Sequence, residues 1–202
     1  MVKDSSRSRG RPRSFDKDAA LDAAIGVFWR MGYANASLDD LTAAMNISRP
    51  SLYAAFKDKE GLYLACVRKH GDRMSGGAAW IGENASDGPN GLEKLLLRAI
   101  QSFTHPDPFP RGCFFAAACM SDVVLEPEFQ QVIDEQLGRV RDAIFVFLQR
   151  FPPETMSVDT ASNLASTILY GLGGRARLGH AAETLHCDAK AFVRMLYPSS
   201  DV

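Results

Sequence analysis

The chain has 202 residues, of which 46% are hydrophobic and 23% charged, the composition of a globular protein with a real core. Its net charge of −1 names no partner, but the charge is unevenly spread. Residues 1–73 carry 13 Lys and Arg against 9 Asp and Glu, whereas the remainder is acidic, a pattern that points to a local anion-binding surface on an acidic body. Four scattered cysteines without a CxxC pair argue against a zinc site or disulfide framework, so no metal and no cofactor is expected. No apolar run approaches about 20 residues, and the amino terminus lacks an apolar signal region, so the expected location is cytoplasmic, with no membrane partner.

Residues 1–14 form a polar segment in which Arg7, Arg9, Arg11 and Arg13 alternate around Gly10 and Pro12. It reads as a flexible basic arm, either a solubilising tail or a strand that tracks phosphate or enters a minor groove, with Arg11 and Arg13 as candidate contacts. The first helix is expected from Asp16 to Met31: Leu21, Ala24, Ile25 and Phe28 repeat at helical spacing, Asp16 suits an N-cap and Gly32 a stop. Ser37-Leu38-Asp39-Asp40 then fits a capping box ahead of a short second helix carrying Leu41, Ala44 and Met45.

The segment "NIS" (Asn46 to Ser48) breaks that helix, with Asn46 able to take a left-handed turn. Ser48 caps the next helix and Pro50 falls in its first turn, where a missing N–H costs little. That helix reaches about Phe56, and Asp58 caps another, from Lys59 to about Arg73. Helix, three-residue turn, helix, with a supporting helix on either side, is a helix-turn-helix arrangement over residues 15–60. The start of its third helix presents Arg49, Ser51 and Tyr53, while Leu52 and Phe56 hold the helix down. A helix N-terminus attracts phosphate, and arginine pairs with guanine or clamps phosphate. Ser37 offers a second such end, and Lys57 and Lys59 follow in the next loop. The implied partner is double-stranded DNA.

The glycines between Ser75 and Gly91 suggest a helix end followed by a loop. Helices are then expected over Leu92 to Phe103, Cys113 to about Val124, Glu126 to about Arg150, Ser157 to Leu178 and Asp188 to Tyr197, with the proline-rich "HPDPFPRG" (His105 to Gly112) as a connection. The chain therefore reads as all-α, with about nine helices: an arm over 1–14, a DNA-binding unit over 15–60 and a larger helical unit over 61–202. Phe103, Phe114, Phe115, Cys119, Met120, Phe145 and Tyr170 are either ordinary core or the lining of an apolar cavity. Cys113, at the start of a helix and beside Arg111, is either a packing residue or a thiol with lowered pKa able to sense electrophiles. Ala161, Leu164, Ala165, Ile168 and Leu172 form a small and apolar stripe that permits close helix contact in a twofold dimer. The four histidines are isolated and no nucleophile motif is present, so no catalytic residue is assigned.

The block from Gly10 to Val67, with "SLYAAFKDKEGLYLACV" at its end, resembles the DNA-binding domain of TetR-type transcriptional regulators. The resemblance implies that the third helix is the recognition helix, that Arg49, Pro50, Ser51, Tyr53 and Ala54 face the major groove, and that Tyr53, Lys59 and Ser37 touch phosphates. It implies a helical ligand-binding and dimerisation domain after it, in which the last helix pair builds a four-helix interface. The expected protein is thus a homodimeric DNA-binding regulator, a repressor released from its operator by an unknown small-molecule effector. The rival readings are a ligand-independent DNA-binding regulator and a helical enzyme or carrier that retains the domain. Two departures stand out: Asn46 replaces the usual glycine, and Asp39, next to the expected DNA backbone, has no role legible in the sequence.

Overall fold

The computed structural model describes residues 15–105, 112–119 and 126–199. Arg11, Arg13 and Met120, and the side chain of Cys119, lie outside the described residues. Among the described residues there are nine α-helices and no strand. They are α1 (Lys17–Asn35), α2 (Leu38–Met45), α3 (Arg49–Phe56), α4 (Lys59–Asn84), α5 (Gly88–Thr104), α6 (Phe114–Cys119), α7 (Pro127–Arg150), α8 (Val158–Arg177) and α9 (Ala182–Leu196). No described helix is long and apolar enough to cross a membrane.

Local chemistry sets most of the amino-terminal boundaries. The Asp16 carboxylate accepts from the N–H groups of Asp18 and Ala19. Gly32, at φ 74°, breaks the helix at the expected place, and one further turn follows to Asn35. Ser37 and Asp40 form the reciprocal capping box. Asn46 closes α2 in the left-handed conformation at φ 52° and ψ 44°, which its short polar side chain tolerates. Ser48 caps α3, and Asp58 caps α4.

Tertiary packing overrides local propensity elsewhere. Instead of ending near Arg73, α4 runs to Asn84 through Gly76, Gly77 and Gly82, although each glycine costs about 1 kcal/mol relative to alanine in a helix. Burial of Ala78 and Ile81 holds this half in place, and Gly82 sits against Phe147 of α7, its principal neighbour. Helix α5 starts at Gly88, four residues early, because Asp87 accepts from Asn90 N–H and Pro89 fits the first turn. Helix α9 likewise begins at Ala182 rather than Asp188, and the described part of α6 is six residues starting at Phe114.

Helices α1–α3 pack with the start of α4 around Phe28, Leu41, Leu52 and Leu62. Leu52 is wholly buried, so truncation to alanine should cost roughly 2–5 kcal/mol. The same α4 lies along α7, which packs on α8, while α5 packs on α8 and α9. One continuous hydrophobic cluster joins both ends of α4. A drift of register in α4 would therefore be felt by the helix-turn-helix unit.

The expected dimer stripe divides. Ala161, Ala165 and Leu172 are buried in the protomer's own core, because α8 turns these positions onto α5 and α7. Ile168 is half-buried and Leu164 is exposed. The large apolar side chains that α8, its C-cap and α9 leave outside are Leu164, Leu178 and Met195.

Candidate nucleic-acid interface

Arg49, Pro50, Tyr53 and Ala54 follow at i, i+1, i+4 and i+5 on the exposed side of α3, anchored from beneath by Leu52 and Phe56. Helix α3 is thus presented as an outer ridge whose first turn carries the polar groups. Ser51 is half-buried and exchanges a 2.9 Å hydroxyl contact with Ser48. The Ser51 N–H is taken by Ser48 Oγ at 3.3 Å, and Pro50 has no N–H. The end of α3 therefore offers fewer free donors to phosphate than its sequence suggests.

Ser37 and Lys59 are engaged within the protein. The Ser37 hydroxyl donates to Asp40 Oδ2 at 2.5 Å, and the Ser37 N–H donates to the same oxygen at 3.1 Å. These bonds hold the Asp40 carboxyl below the usual carboxylate range, and they occupy the donors that would have met a phosphate. Lys59 Nζ sits over the Tyr33 ring at 4.5 Å from the centroid and donates to Ala34 O at 3.4 Å. Burial pushes its amine below the ordinary lysine value. The structure accounts for Asp39: its Oδ1 accepts from Arg49 Nε at 3.1 Å and from Nη2 at 2.7 Å, tying the first turn of α2 to that of α3.

Two cavities lie behind this unit. The larger, of about 940 Å³, is walled by Phe28, Trp29 and Tyr33 of α1, Tyr63 of α4, Phe114 and Phe115 of α6 and Tyr170 of α8. Its volume is that of a small-molecule site, and its wall is mainly apolar rings. The smaller, of about 530 Å³, lies between α4 and α5 and is lined by Trp29, His70, Arg98 and Phe103. Trp29 is common to both. The rings form a connected chain: Tyr33 to Tyr63 at 5.0 Å, Tyr63 to Phe114 at 6.0 Å, Phe114 to His70 at 5.4 Å, His70 to Phe115 at 5.0 Å and Phe115 to Tyr170 at 6.5 Å. Arg177 of α8 donates to the Trp29 carbonyl at 3.2 Å, three residues before the break at Gly32.

Of the cavity residues expected from the sequence, Phe114, Phe115 and Tyr170 line the larger cavity and Phe103 the smaller. Phe145 lines neither: it is half-buried on the flank of α7 under the Arg141 guanidinium, 4.9 Å from its ring centroid. Sequence reasoning misses Phe28, Trp29, Tyr33 and Tyr63: Phe28 counts there only as part of the apolar face of the first helix, and the other three are given no role. Cys113 is fully buried just before α6, packed on α8 so closely that a methyl at Gly173 would lie 2.4 Å from its Cβ. In the folded protomer its thiol is not exposed to solvent. Cys66 is buried too, and burial pushes its thiol up. Among the described residues, no three His, Cys, Asp or Glu side chains are grouped to hold a metal ion.

Known proteins share this arrangement. Residues 20–66, from within α1 to within α4, match the family described as bacterial regulatory proteins, tetR family. The chain is 30% identical over 197 residues to the HTH-type transcriptional repressor BdcR of Escherichia coli K12, covering 94% of this chain and 93% of that protein. It is 39% identical over 114 residues to the repressor ComR of the same organism, covering 56% of this chain and about half, 54%, of ComR. A solved structure of the TetR family regulator CifR, a cysteine mutant complexed with 26-base-pair operator DNA, matches at a TM-score of 0.76 and 31% identity, over 93% of this chain and 100% of that one. A full-length relative at this identity, the same fold and an exposed third helix in a helix-turn-helix unit lead to one conclusion: the chain belongs to the TetR family and is a DNA-binding transcriptional regulator.

Proposed function

We propose that the protein is a cytoplasmic homodimeric repressor that leaves its operator when a small, largely apolar molecule enters the cavity beside Trp29. The observation that carries this reading is the ring chain from Tyr33 to Tyr170 around that cavity. A ligand wedged among these rings bears at once on α1, α4, α6 and α8. Helix α1 packs on α2, and α4 starts directly after α3 and packs on it, so displacement of either re-aims the recognition helix. In a twofold dimer the two recognition helices must meet successive major grooves about 34 Å apart. A ligand that binds better to a protomer with another spacing shifts the population away from the operator-bound form. Repression is favoured over activation by the full-length relative BdcR, itself a repressor. The dimer surface is drawn on the outer side of α8 and α9, where Leu164, Leu178 and Met195 are exposed.

The chain holds two tryptophans, Trp29 in the cavity wall and Trp80, which is half exposed on α4. Replacing Trp80 with phenylalanine leaves Trp29 as the sole indole fluorophore. Neutral aromatic compounds titrated into this variant on its labelled operator should quench Trp29 and release DNA over one concentration range. Release with unchanged Trp29 emission, or quenching with DNA retained, would contradict the proposal.

A further inference from the structure

We infer that Asp39 is the positioning residue of the recognition helix: its carboxylate grips one edge of the Arg49 guanidinium, so that the other edge is presented to a guanine in the operator. The inference rests on the reading that α3 enters the major groove, and goes beyond it by assigning a residue outside α3 to sequence readout.

The guanidinium has five N–H groups, arranged as a side edge (Nε and Nη2) and an end edge (Nη1 and Nη2). Asp39 Oδ1 lies against the side edge, 3.1 Å from Nε and 2.7 Å from Nη2. What remains is the end edge, two parallel N–H groups whose spacing matches the O6 and N7 acceptors of guanine. An arginine unrestrained at a helix terminus can instead swing to any nearby phosphate, where it carries no sequence information. The carboxylate removes that freedom.

Asp39 lies in the first turn of α2, where a carboxylate suits the helix dipole, but it is not needed there as a cap. The start of α2 is already capped by the Ser37–Asp40 box. The pair is too exposed to matter much for folding, with side chains 53% and 78% accessible for Arg49 and Asp39. A negative charge beside the DNA backbone weakens binding to every sequence through like-charge repulsion. It is tolerable where it raises the difference between right and wrong sequences.

The test uses the full-length protein and duplexes recovered by it from a random-sequence pool. Each base pair of the recovered half-site is then replaced in turn, and dissociation constants are measured for wild type, Asp39→Asn and Arg49→Ala over a range of KCl. Wild type should discriminate at one G·C pair by about 5- to 150-fold, the range for one bidentate contact. Arg49→Ala should erase the preference at that pair alone. Asp39→Asn should reduce the same preference several-fold and leave other positions alone, while its affinity for random DNA stays equal or rises. Thermal unfolding of Asp39→Asn should match wild type, which separates positioning from a folding defect. An undiminished preference at the Arg49 pair in Asp39→Asn, or a gain of equal size on every duplex, overturns the proposal. Recovery of no sequence by wild type would instead overturn the reading on which it rests.

Discussion

Lowering the pH from 7.5 to 5 should weaken the folded state through one imidazole, that of His70. Its ring is only 7% exposed, boxed between Trp29, Phe114 and Phe115, and neither nitrogen has a hydrogen-bond partner among the described residues. Burial, and secondarily the nearby Arg73 charge, push its pKa down to about 3. In the unfolded chain the same group titrates near 6.5. Between these values the unfolded chain binds a proton that the folded chain refuses, so stability rises with pH across the window. It is fully present above about pH 6.5 and declines by up to about 1.4 kcal/mol per unit below that. At pH 5 the loss is about 2 kcal/mol by the same arithmetic, a sizeable share of the 5–15 kcal/mol typical of a domain. Asp22 acts elsewhere: burial raises its carboxyl, but bonds from Arg73 and Lys69 outweigh that and hold it below the ordinary value. Its contribution is therefore lost only as pH falls below about 4. The assay is urea unfolding of wild type and His70→Phe at matched protein concentration from pH 5 to 8. The variant keeps an aromatic ring but cannot charge, so its curve should be flatter by about 2 kcal/mol between pH 7 and 5, or roughly 4–8 °C in Tm. Parallel profiles would refute the reasoning and mean that water or a proton reaches the ring in the folded state.

Thiol chemistry and salt dependence check two other regions. In an alkylation time course on native protein, exposed Cys187 should label first, and Cys66 and Cys113 should label only at the rate of unfolding; rapid labelling of Cys113 would mean that its packing against Gly173 opens readily. Deleting residues 1–13 removes Lys3, Arg7, Arg9, Arg11 and Arg13, and should flatten the salt dependence of operator binding by up to about 0.9 for each phosphate that the arm neutralises; an unchanged slope would make the arm a tail.

The amino-terminal unit is legible in the sequence because its instructions are local. Asp16, Ser37, Ser48 and Asp58 each cap within three residues of themselves, and Gly32 and Asn46 accept the positive φ that their positions require. Local signals fail where distant packing decides. The glycines of α4 read as a loop, yet the stretch is helical, with Ala78 and Ile81 buried and Gly82 against Phe147, more than 60 residues away. Small residues on α8 read as an interface, yet Ala161 and Ala165 face the protomer's own core. Asp39 and Arg49 read as an anomaly and a base reader, and only the packing of α2 beside α3 joins them. Phe28 reads as core because a helical stripe does not reveal a second surface behind it.

The central claim is that α3 reads a defined operator. Its most direct measurement is binding of the full-length protein to labelled DNA from upstream of its own gene, against a random duplex of equal length, from 50 to 200 mM salt. The expected result is at least about 1,000-fold preference for the upstream fragment, a two-protomer complex, a steep salt dependence and a preference lowered by at least about 5-fold in Arg49→Ala with folding intact. Equal affinity for both duplexes, or a preference that survives Arg49→Ala undiminished, would contradict it.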